Sequence, residues 1–491
     1  NSALSFIYTL DLAVKDQDAL LTRFANDPYI RPAPDTSYKF LAHFDGHIKP
    51  RSTLRPVVIG FGPCGIFAAL TLAQMGLKPI VLERGKSVRE RTQDTWGLWR
   101  KKILNPESNV QFGEGGAGTF SDGKLWSQVK DPKFHGRKVL REFVKSGAPE
   151  EILYVSKPHI GTFRLVGVVE KMRKEIIELG GEVRFGQKVT GFEIVNHVLH
   201  GINLESGEFL EANHVVLALG HSARDTFQIL HEAGVYLEAK PFSVGFRIEH
   251  PQSLIDRARL GPHAGNPLIG AADYKLVHHA KNGRSVYSFC MCPGGTVVAA
   301  ASEPNRLVTN GMSQYSRNER NANAGIVVGI TPADYPGGPL AGIEFQRQIE
   351  ANAFVLGGSN YEAPGQLVGD FLQGKTSTEF GSVIPSYKPG VHLTDLAESL
   401  PSYAIEAIRE AIPVFEKKIK GFSMHDAVLT GVETRTSSPL QIKRGPNFQS
   451  INTKGLYPAG EGAGYAGGIM SAGIDGIKVA EAIALDLLAT Q

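Results

Sequence analysis

Short apolar runs separated by glycines dominate the hydrophobic pattern between residues 55 and 83. The run RPVVIG is β-branched and almost uniformly apolar, as are strands buried on both faces of a parallel sheet. The segment IFAALTLAQMG then has helical periodicity and ends at Gly76, and KPIVLE repeats the strand pattern. This order predicts a strand–helix–strand unit whose two strands are parallel.

The chain returns to this strand pattern twice. TFRLVGVVEKMRKEIIELGG predicts an amphipathic helix over residues 162–181 that ends at glycine. Four short strand signals follow and close on the apolar run VVLALG at residues 215–220. LYPAGEG at residues 456–462 predicts a further strand before a Gly-rich loop and a terminal helix. We therefore expect an α/β fold, in which residues 55–240 and 425–491 form a doubly wound, Rossmann-like domain.

Residues 241–424 have a different pattern, in which strands such as FSVGFRIEH, RSVYSFCMC and GTVVAAA alternate with loops and one long helix near residues 402–419. We interpret this region as an inserted substrate or cap domain with a mixed β-sheet. In residues 1–54, SFIYTLDLAV and KFLAHFDG predict strands and DQDALLTRF a short helix. These residues would form a small α+β module, which we expect to dock a protein or a second subunit.

The composition excludes several classes of protein. The 491 residues include 52 basic and 49 acidic ones, and the net charge of +3 gives no support to nucleic-acid binding. The apolar runs are too short to span a membrane. Three cysteines cannot build a disulfide scaffold, so we expect a cytoplasmic protein without a signal peptide. The chain begins with Asn rather than Met, and we expect native residues to precede it.

Glycine is the enriched residue type, and its spacing predicts a nucleotide site. Gly60, Gly62 and Gly65 form G-x-G-x-x-G between the first predicted strand and its helix, and Glu83 ends the next strand. Gly60 permits the tight turn, Gly62 lets a pyrophosphate approach, and Gly65 lets helix and strand pack closely. Glu83 can accept hydrogen bonds from both ribose hydroxyls. A tight turn in a nucleotide-free domain is the alternative.

Three segments of the chain resemble one group of flavoproteins. VVIGFGPCGIFAALTLAQMGLKPIVLERG, VVLALGHSARD and GLYPAGEGAGYAGGIMSAGIDG are similar to FAD-binding motifs of the glutathione-reductase-like superfamily. Leu219 stands where Thr is common, and Glu461 where Asp is common. Together with GGAGTFSDGKL, KPHIGT, FCMCPGG, NGMS and VETRTSSP, residues 55–491 resemble the bacterial FAD-dependent dehydrogenase family of uncertain function. The resemblance implies FAD as the cofactor and implies no substrate.

The resemblance also implies positions along FAD. It places Gly60, Gly62 and Gly65 at the pyrophosphate, and Glu83 with Arg84 at the adenosine end. The other cofactor-binding positions that it implies are Val189, Gly220, Gly460, Glu461, Gly467, Gly468, Ile469 and Met470.

Loops supply the remaining candidates. The Gly-rich loop around Gly116 is expected to cross the cofactor, where Asp122 and Lys124 would contact the flavin or a phosphate. His159 in KPHIGT is a candidate general acid or base, with a structural histidine as the alternative. Arg435 in VETRTSSP is a candidate for holding an anionic substrate or a flavin oxygen, with pairing to a carboxylate as the alternative.

Two of the three cysteines form Cys-x-Cys. Cys290 and Cys292 lie on a predicted strand, which would place both side chains on one face. A redox dithiol and two buried small residues are both open interpretations. Cys64 lies inside the glycine turn, where we expect it to pack. Because no His pair accompanies the two cysteines, we expect no zinc site and no other metal.

These patterns together favour an FAD-dependent oxidoreductase that passes a hydride between FAD and an unidentified small molecule. One complete nucleotide fingerprint occurs, so NADH or NADPH would serve only as a transient electron donor without a domain of its own. A flavin-dependent RNA-modifying enzyme and a non-catalytic, FAD-binding redox sensor are the alternatives.

Overall fold

The computed structural model describes residues 3–44, 46 and 48–488. Its helices are α1 (Gln17–Arg23), α2 (Pro63–Gln74), α3 (Val88–Lys101), α4 (His135–Lys145), α5 (Thr162–Glu178), α6 (Arg224–Glu232), α7 (Gln252–Leu260), α8 (Ala341–Leu356), α9 (Val368–Gln373), α10 (Ser402–Glu416) and α11 (Ile469–Leu488). Its strands are β1 (Val57–Ile59), β2 (Ile80–Glu83), β3 (Glu182–Phe185), β4 (Val189–Val195), β5 (Val198–Leu204), β6 (Phe209–Glu211), β7 (Val215–Leu217), β8 (Leu237–Ala239), β9 (Phe242–Pro251), β10 (Val277–His279), β11 (Ser285–Cys292), β12 (Gly295–Ala299), β13 (Thr309–Ser313), β14 (Asn321–Ile330), β15 (Ala363–Leu367), β16 (Val391–Leu393), β17 (Val428–Glu433), β18 (Leu440–Ile442) and β19 (Leu456–Pro458).

Five strands form a parallel sheet in the order β19-β7-β1-β2-β3. Val57 lies opposite Ile80 on one side and Val215 on the other, and Leu456 continues the ladder beyond Val215. The strands β1, β2, β7 and β19 are buried throughout, because both faces of the sheet are covered. The predicted strand–helix–strand unit is confirmed, as are both later returns to the sheet.

The two faces of this sheet are covered differently. Val58 and Val216 pack toward helices α2, α5 and α11, whereas Val57 packs toward α6 and the antiparallel sheet β4-β5-β6. A doubly wound sheet has helices on both faces. Here the meander presents apolar side chains such as Phe192 and Ile202 where a second helical layer would lie. The predicted doubly wound arrangement is therefore not confirmed, since this face carries α6 and a three-stranded sheet.

Helices α2 and α11 pack against each other and begin at the same place in the fold. Gly476 permits this close approach, since a Cβ there would lie 2.3 Å from the carbonyl oxygen of Cys64. None of the described helices is both long and apolar enough to cross a membrane.

A seven-stranded sheet in the order β10-β11-β14-β9-β17-β15-β16 forms the core of the second region. Its strand pairs are antiparallel except β15 with β16, so the predicted mixed sheet is present. Helices α8 and α10 pack on it. Strand β17 ends at Glu433, which carries the sheet past the boundary predicted at residue 424.

Residues 3–44 contain the helix α1 and, in the part that the structure describes, no β-strand. Apolar side chains between residues 4 and 14 are exposed, and Ile7 is 95% accessible. The strands predicted within residues 1–54 are wrong for these residues, because no neighbouring strand offers hydrogen-bond partners. The segment instead anchors through the Tyr38 hydroxyl, which donates to Glu481, and the Phe44 N–H, which donates to the Met75 carbonyl.

Candidate functional site

A cavity of about 780 Å³ lies where the chain leaves the carboxyl ends of β1, β2, β7 and β19. Open α/β sheets bind their ligands in this crevice. Tyr274, Tyr287 and Phe289 of the cap region close its opposite side. The predicted site residues that line it are Gly60, Gly62, Glu83, Arg84, Gly116, Asp122, Lys124, Val189, Gly220, Arg435, Glu461, Gly467, Gly468, Ile469 and Met470.

The turn between β1 and α2 is built from main chain. Gly60 has a φ of +97°, which favours glycine, and its N–H donates to the carbonyl of Leu82. Gly62 caps α2, and no side chain caps the N–H groups of the first turn. Gly65 lies behind the cavity wall, where a Cβ would come within 1.9 Å of the Gly60 carbonyl oxygen. The turn thus presents uncapped amides to the cavity, as a phosphate group requires.

Glu83 is buried and fixes this turn. One carboxylate oxygen accepts from the Phe61 N–H at 2.9 Å, and the other accepts from the N–H groups of Gly85 and Gly113 at 2.8 and 3.0 Å. A carboxylate has about four acceptor positions, so these bonds leave room for about one further donor. Glu83 can therefore still accept a hydrogen bond from the ribose, but from about one hydroxyl group rather than from both as predicted.

Arg84 lines the cavity and is held in place by two carboxylates. Its guanidinium donates to Glu107 at 2.7 Å and to both oxygens of Asp225 at 2.8 and 3.0 Å. It also stacks 4.1 Å above the centre of the Phe112 ring. Lys188 pairs with the same two carboxylates. Three of its five N–H groups are thus engaged, and Arg84 offers this end of the cavity a flat cationic surface.

Arg91 holds the loop beside the turn in place, a role that sequence reasoning missed. It is fully buried, and its guanidinium donates to the carbonyls of Asn109, Val110, Gly113 and Glu114. Burial lowers its pKa to about 10. These bonds from α3 hold the loop before Gly116 against the turn.

The Gly-rich loop crosses the turn and then reaches the cap. A Cβ on Gly116 would lie 2.9 Å from the Gly62 Cα, so these two backbones touch. Beyond it, the Asp122 carboxylate pairs with the Arg317 guanidinium, and the Lys124 ammonium donates to the Met291 carbonyl. Both side chains line the cavity while tying the loop to cap residues.

His221 is a second residue that sequence reasoning missed. It follows Gly220 in VVLALGH, lines the cavity and is 9% exposed, yet neither ring nitrogen has a hydrogen-bond partner among the described residues. Its Nδ1 lies 3.5 Å from a carboxylate oxygen of Glu461. A buried imidazole without partners is costly, so this side chain fits a polar ligand in the cavity. Its position after the glycine of a strand end was the available signal.

The start of α11 forms the remaining cofactor wall. A Cβ on Gly220, Gly467 or Gly468 would meet no atom within 4 Å, so each leaves open space. Ile469 and Met470 line the cavity beside them. By contrast, Gly460 lies outside the lining: its N–H donates to Asp475 at 2.8 Å. The uncapped amides of the turn, the open space at these three glycines and the His221 imidazole without hydrogen-bond partners together fit an elongated dinucleotide.

Arg435 lines the cavity as part of a buried ion network. Its guanidinium donates to both carboxylate oxygens of Glu350 at 3.1 Å and to the hydroxyls of Ser222 and Ser302. Arg224 pairs with the same carboxylate. The geometry favours carboxylate pairing, the alternative considered for Arg435, since its fork is already filled.

His159 does not reach the cavity lining. Its Nε2 lies 2.9 Å from the Tyr315 carbonyl oxygen, and its ring stacks on the Tyr315 ring. Burial, followed by the charge of Arg317, lowers its pKa. The position favours the structural alternative for this histidine.

The two cysteines of Cys-x-Cys do not follow simple strand alternation. The register of β11 shifts between Phe289 and Cys292, and Cys290 has a φ of +41°. Cys290 lines the cavity and Cys292 is buried behind it. A β-bulge interrupts the pleat on which the prediction of a shared face rests. Among the described residues, no group of three or more His, Cys, Asp or Glu side chains is arranged to hold a metal ion.

Comparison with known proteins identifies relatives of the chain. The family model described as "FAD-dependent protein, C-terminal domain-like" matches residues 241–436. A protein of Clostridium beijerinckii described as uncharacterized is 54% identical over 431 residues, which span 87% of this chain and 80% of that protein.

Among solved structures, CtdE in complex with FAD is 13% identical with a TM-score of 0.33 and covers 88% of each chain. The flavin-dependent brominase Bmp2 is 12% identical with a TM-score of 0.40, over 89% of this chain and 80% of that one.

Proposed function

The chain belongs to a family of FAD-dependent proteins, and on that premise we propose that it catalyses hydride transfer between bound FAD and a small molecule. The flavin supplies the redox chemistry, while the protein supplies binding, orientation and exclusion of water. The observation that carries the proposal is the continuity of the cavity. It extends without a break from the turn at Gly62, past Gly468, to the cap residues Tyr287 and Phe289.

In this proposal the turn and the strand ends hold the dinucleotide. The amides at the start of α2 face the pyrophosphate, and Glu83 and Val189 lie at the adenosine end. His221 and Glu461 face the middle of the cofactor, where an imidazole N–H can donate to a phosphate or a ribityl hydroxyl. Gly467 and Gly468 leave room for the flavin ring at the start of α11. Support comes from the lining of one cavity by all of these residues.

The outer end of the cavity is basic, which indicates the class of substrate. Lys157, Arg259 and Lys275 line it and are exposed, against one acidic side chain, Asp273. Lys157 approaches Asp273 at 3.6 Å, which leaves an excess of positive charge. The substrate is thus a small organic anion, which these side chains would draw toward the flavin.

Arg435 and its network act as positioning groups in this account. Arg435 donates to the Ser222 hydroxyl, which in turn donates to the Gln111 side chain at 3.1 Å. Both Ser222 and Gln111 line the cavity. Arg435 therefore holds the side chains of Ser222 and Gln111 in place at the cavity wall, while Glu350 neutralises the charge of Arg435.

The visible spectrum of the purified protein tests cofactor binding, and anaerobic mixing tests the reaction. We expect bound FAD that is reduced by NADH, NADPH or a member of a panel of small carboxylates, or is reoxidised by one. A protein that binds no FAD, or whose FAD responds to no member of the panel, would contradict the proposal.

A matched pair of variants tests the substrate class. Lys275→Gln should raise the concentration of an anionic substrate needed for half-maximal rate by up to about 5-fold, as loss of an exposed charge contact does. Lys281→Gln, outside the cavity lining, should leave that concentration unchanged. Equal behaviour of the two variants would argue against an anionic substrate.

A further inference from the structure

The end of β11 at the cavity has an unusual backbone. Phe289 pairs with Gly325 and Cys292 with Asn323, so two residues of β11, Cys290 and Met291, occupy the bulge. The φ of +41° at Cys290 is uncommon for a residue with a side chain, and such conformations concentrate at functional sites. The bulge turns the Cys290 side chain into the cavity wall.

The bulge also brings the two cysteines into contact. The Cys292 thiol donates a hydrogen bond to the Cys290 carbonyl oxygen at 3.3 Å. Two such residues on a regular strand would lie about 6.6 Å apart, two rises of about 3.3 Å. The bulge thus accompanies a direct hydrogen bond from the Cys292 thiol to the Cys290 backbone.

Two cations, Lys124 and Arg247, and two carboxylates, Asp122 and Glu433, lie around this pair. The Arg247 guanidinium donates to the Cys290 carbonyl at 2.8 Å, and the Lys124 ammonium donates to the Met291 carbonyl. The hydrogen bond from Cys292, followed by the charges of Lys124 and Arg247, lowers the pKa of Cys290 although burial opposes it. The bond to Cys290 raises the pKa of Cys292.

Cys290, at the cavity, therefore has the lowered pKa of the two, and Cys292, behind it, has the raised pKa. A low-pKa, accessible cysteine beside a second cysteine is the arrangement of redox-active pairs. Two cysteines retained only as small packing residues would need neither the bulge nor the converging cations. Cys64 shows the contrast, since burial raises its pKa and it packs against Gly460.

We propose that Cys290 and Cys292 form a redox-active pair that exchanges two electrons with FAD in the same cavity. The inference rests on the proposed binding of FAD. Oxidation of the pair breaks the S–H bond of Cys292 and forms one S–S bond between the two sulfurs. It releases two electrons and one proton, all of which pass to the oxidised flavin. The reverse step restores the Cys290 thiolate and the Cys292 thiol.

Anaerobic reductive titration of the holoprotein tests this exchange. After full oxidation, the wild type should accept four electrons per FAD, two in the flavin and two in the disulfide. Cys290→Ser and Cys292→Ser should each accept two, with an unchanged flavin spectrum as the check on folding. Cys64→Ser removes a thiol outside the pair and should still accept four.

Mass spectrometry supplies a readout that does not depend on flavin chemistry. Both cysteines fall in one tryptic peptide, residues 285–306, which does not contain Cys64. In oxidised holoprotein this peptide should resist alkylation and be lighter by two hydrogens, and reduction should expose both thiols to alkylation.

The outcomes separate this inference from the proposed function. A wild type that accepts only two electrons, or a disulfide that forms in glutathione buffer but never exchanges electrons with the flavin, would overturn the pair while leaving the flavoenzyme proposal intact. A protein without FAD would overturn both, whatever the peptide shows.

Discussion

The two ends of the cavity are built from different parts of the chain. At the nucleotide end, the wall around the turn is main chain: Gly60 and Gly62, the glycine loop at Gly116, and strand ends. At the cap end, the wall consists of side chains that hold one another, such as Arg435 with Glu350. The shape of the cavity at the nucleotide turn therefore depends on the absence of side chains from its glycines. The stability of the cap end depends instead on buried charges that the protein must neutralise.

The largest effect should come from removing a charge at the cap end. Glu350→Gln leaves the buried guanidiniums of Arg224 and Arg435 without their shared carboxylate, which should lower the free energy of unfolding by about 3–5 kcal/mol. Glu344→Gln is the control, because Glu344 pairs with Arg347 on the same helix but is 61% exposed, and it should cost less than about 1 kcal/mol. Urea unfolding measures both. Equal losses would show that the cap end does not depend on its buried charges.

The next effect should come from adding a side chain at the nucleotide end. Gly65→Ala puts a Cβ within 1.9 Å of the Gly60 carbonyl oxygen, which forces the turn apart at a cost of about 1–3 kcal/mol and weakens FAD binding. Gly167→Ala places its Cβ in open space on helix α5 and should be neutral or stabilising by up to about 1 kcal/mol. Thermal unfolding with and without added FAD separates the two variants. Full retention of FAD by Gly65→Ala would contradict this account of the turn.

Acid should erase the advantage that Glu350 gives the wild type. Burial alone would raise the pKa of Glu350, but the charges of Arg224 and Arg435 outweigh it and hold the pKa below its ordinary value of 4.5. A carboxyl group of this kind stabilises the fold above its unfolded-state pKa and loses that contribution as the pH falls toward its folded-state pKa. The stability gap between wild type and Glu350→Gln should therefore narrow below pH 4.5 by about 1.4 kcal/mol per pH unit. A gap independent of pH would mean that the carboxylate charge is not the stabilising feature.

The smallest effect concerns the charges around Cys290, which faces Lys124, Arg247, Asp122, Glu433 and Cys292. Because its pKa is lowered, its alkylation rate in the folded protein should change little between pH 7 and 8, whereas an ordinary thiol reacts up to about 10-fold faster. Lys124→Gln should restore part of that pH dependence. The control is Lys130→Gln, which removes a cation outside the cavity lining. A steep pH dependence in the wild type would show that Cys290 is an ordinary thiol.

The same contrast explains what the sequence could predict. The strands β1 and β2, the turn at Gly60 and the glycine at residue 65 are local patterns, and the structure has them where the sequence indicates. Arg91 and Glu350 carry no local signal, because their roles depend on loops and helices that meet only after folding. The bulge at Cys290 could not be predicted because it depends on the pairing of β11 with β14. The prediction of N-terminal strands was wrong because β-propensity alone cannot supply a pairing partner.

A crystal structure of the protein with FAD tests the central claim most directly, since it shows which end of the cavity receives which part of the cofactor. The account predicts the pyrophosphate at the amides of the Gly62 turn, the ribose beside Glu83, and the flavin ring between Gly468 and the cap residues next to Cys290. Electron density for FAD in the reverse orientation, or outside this cavity, would contradict it.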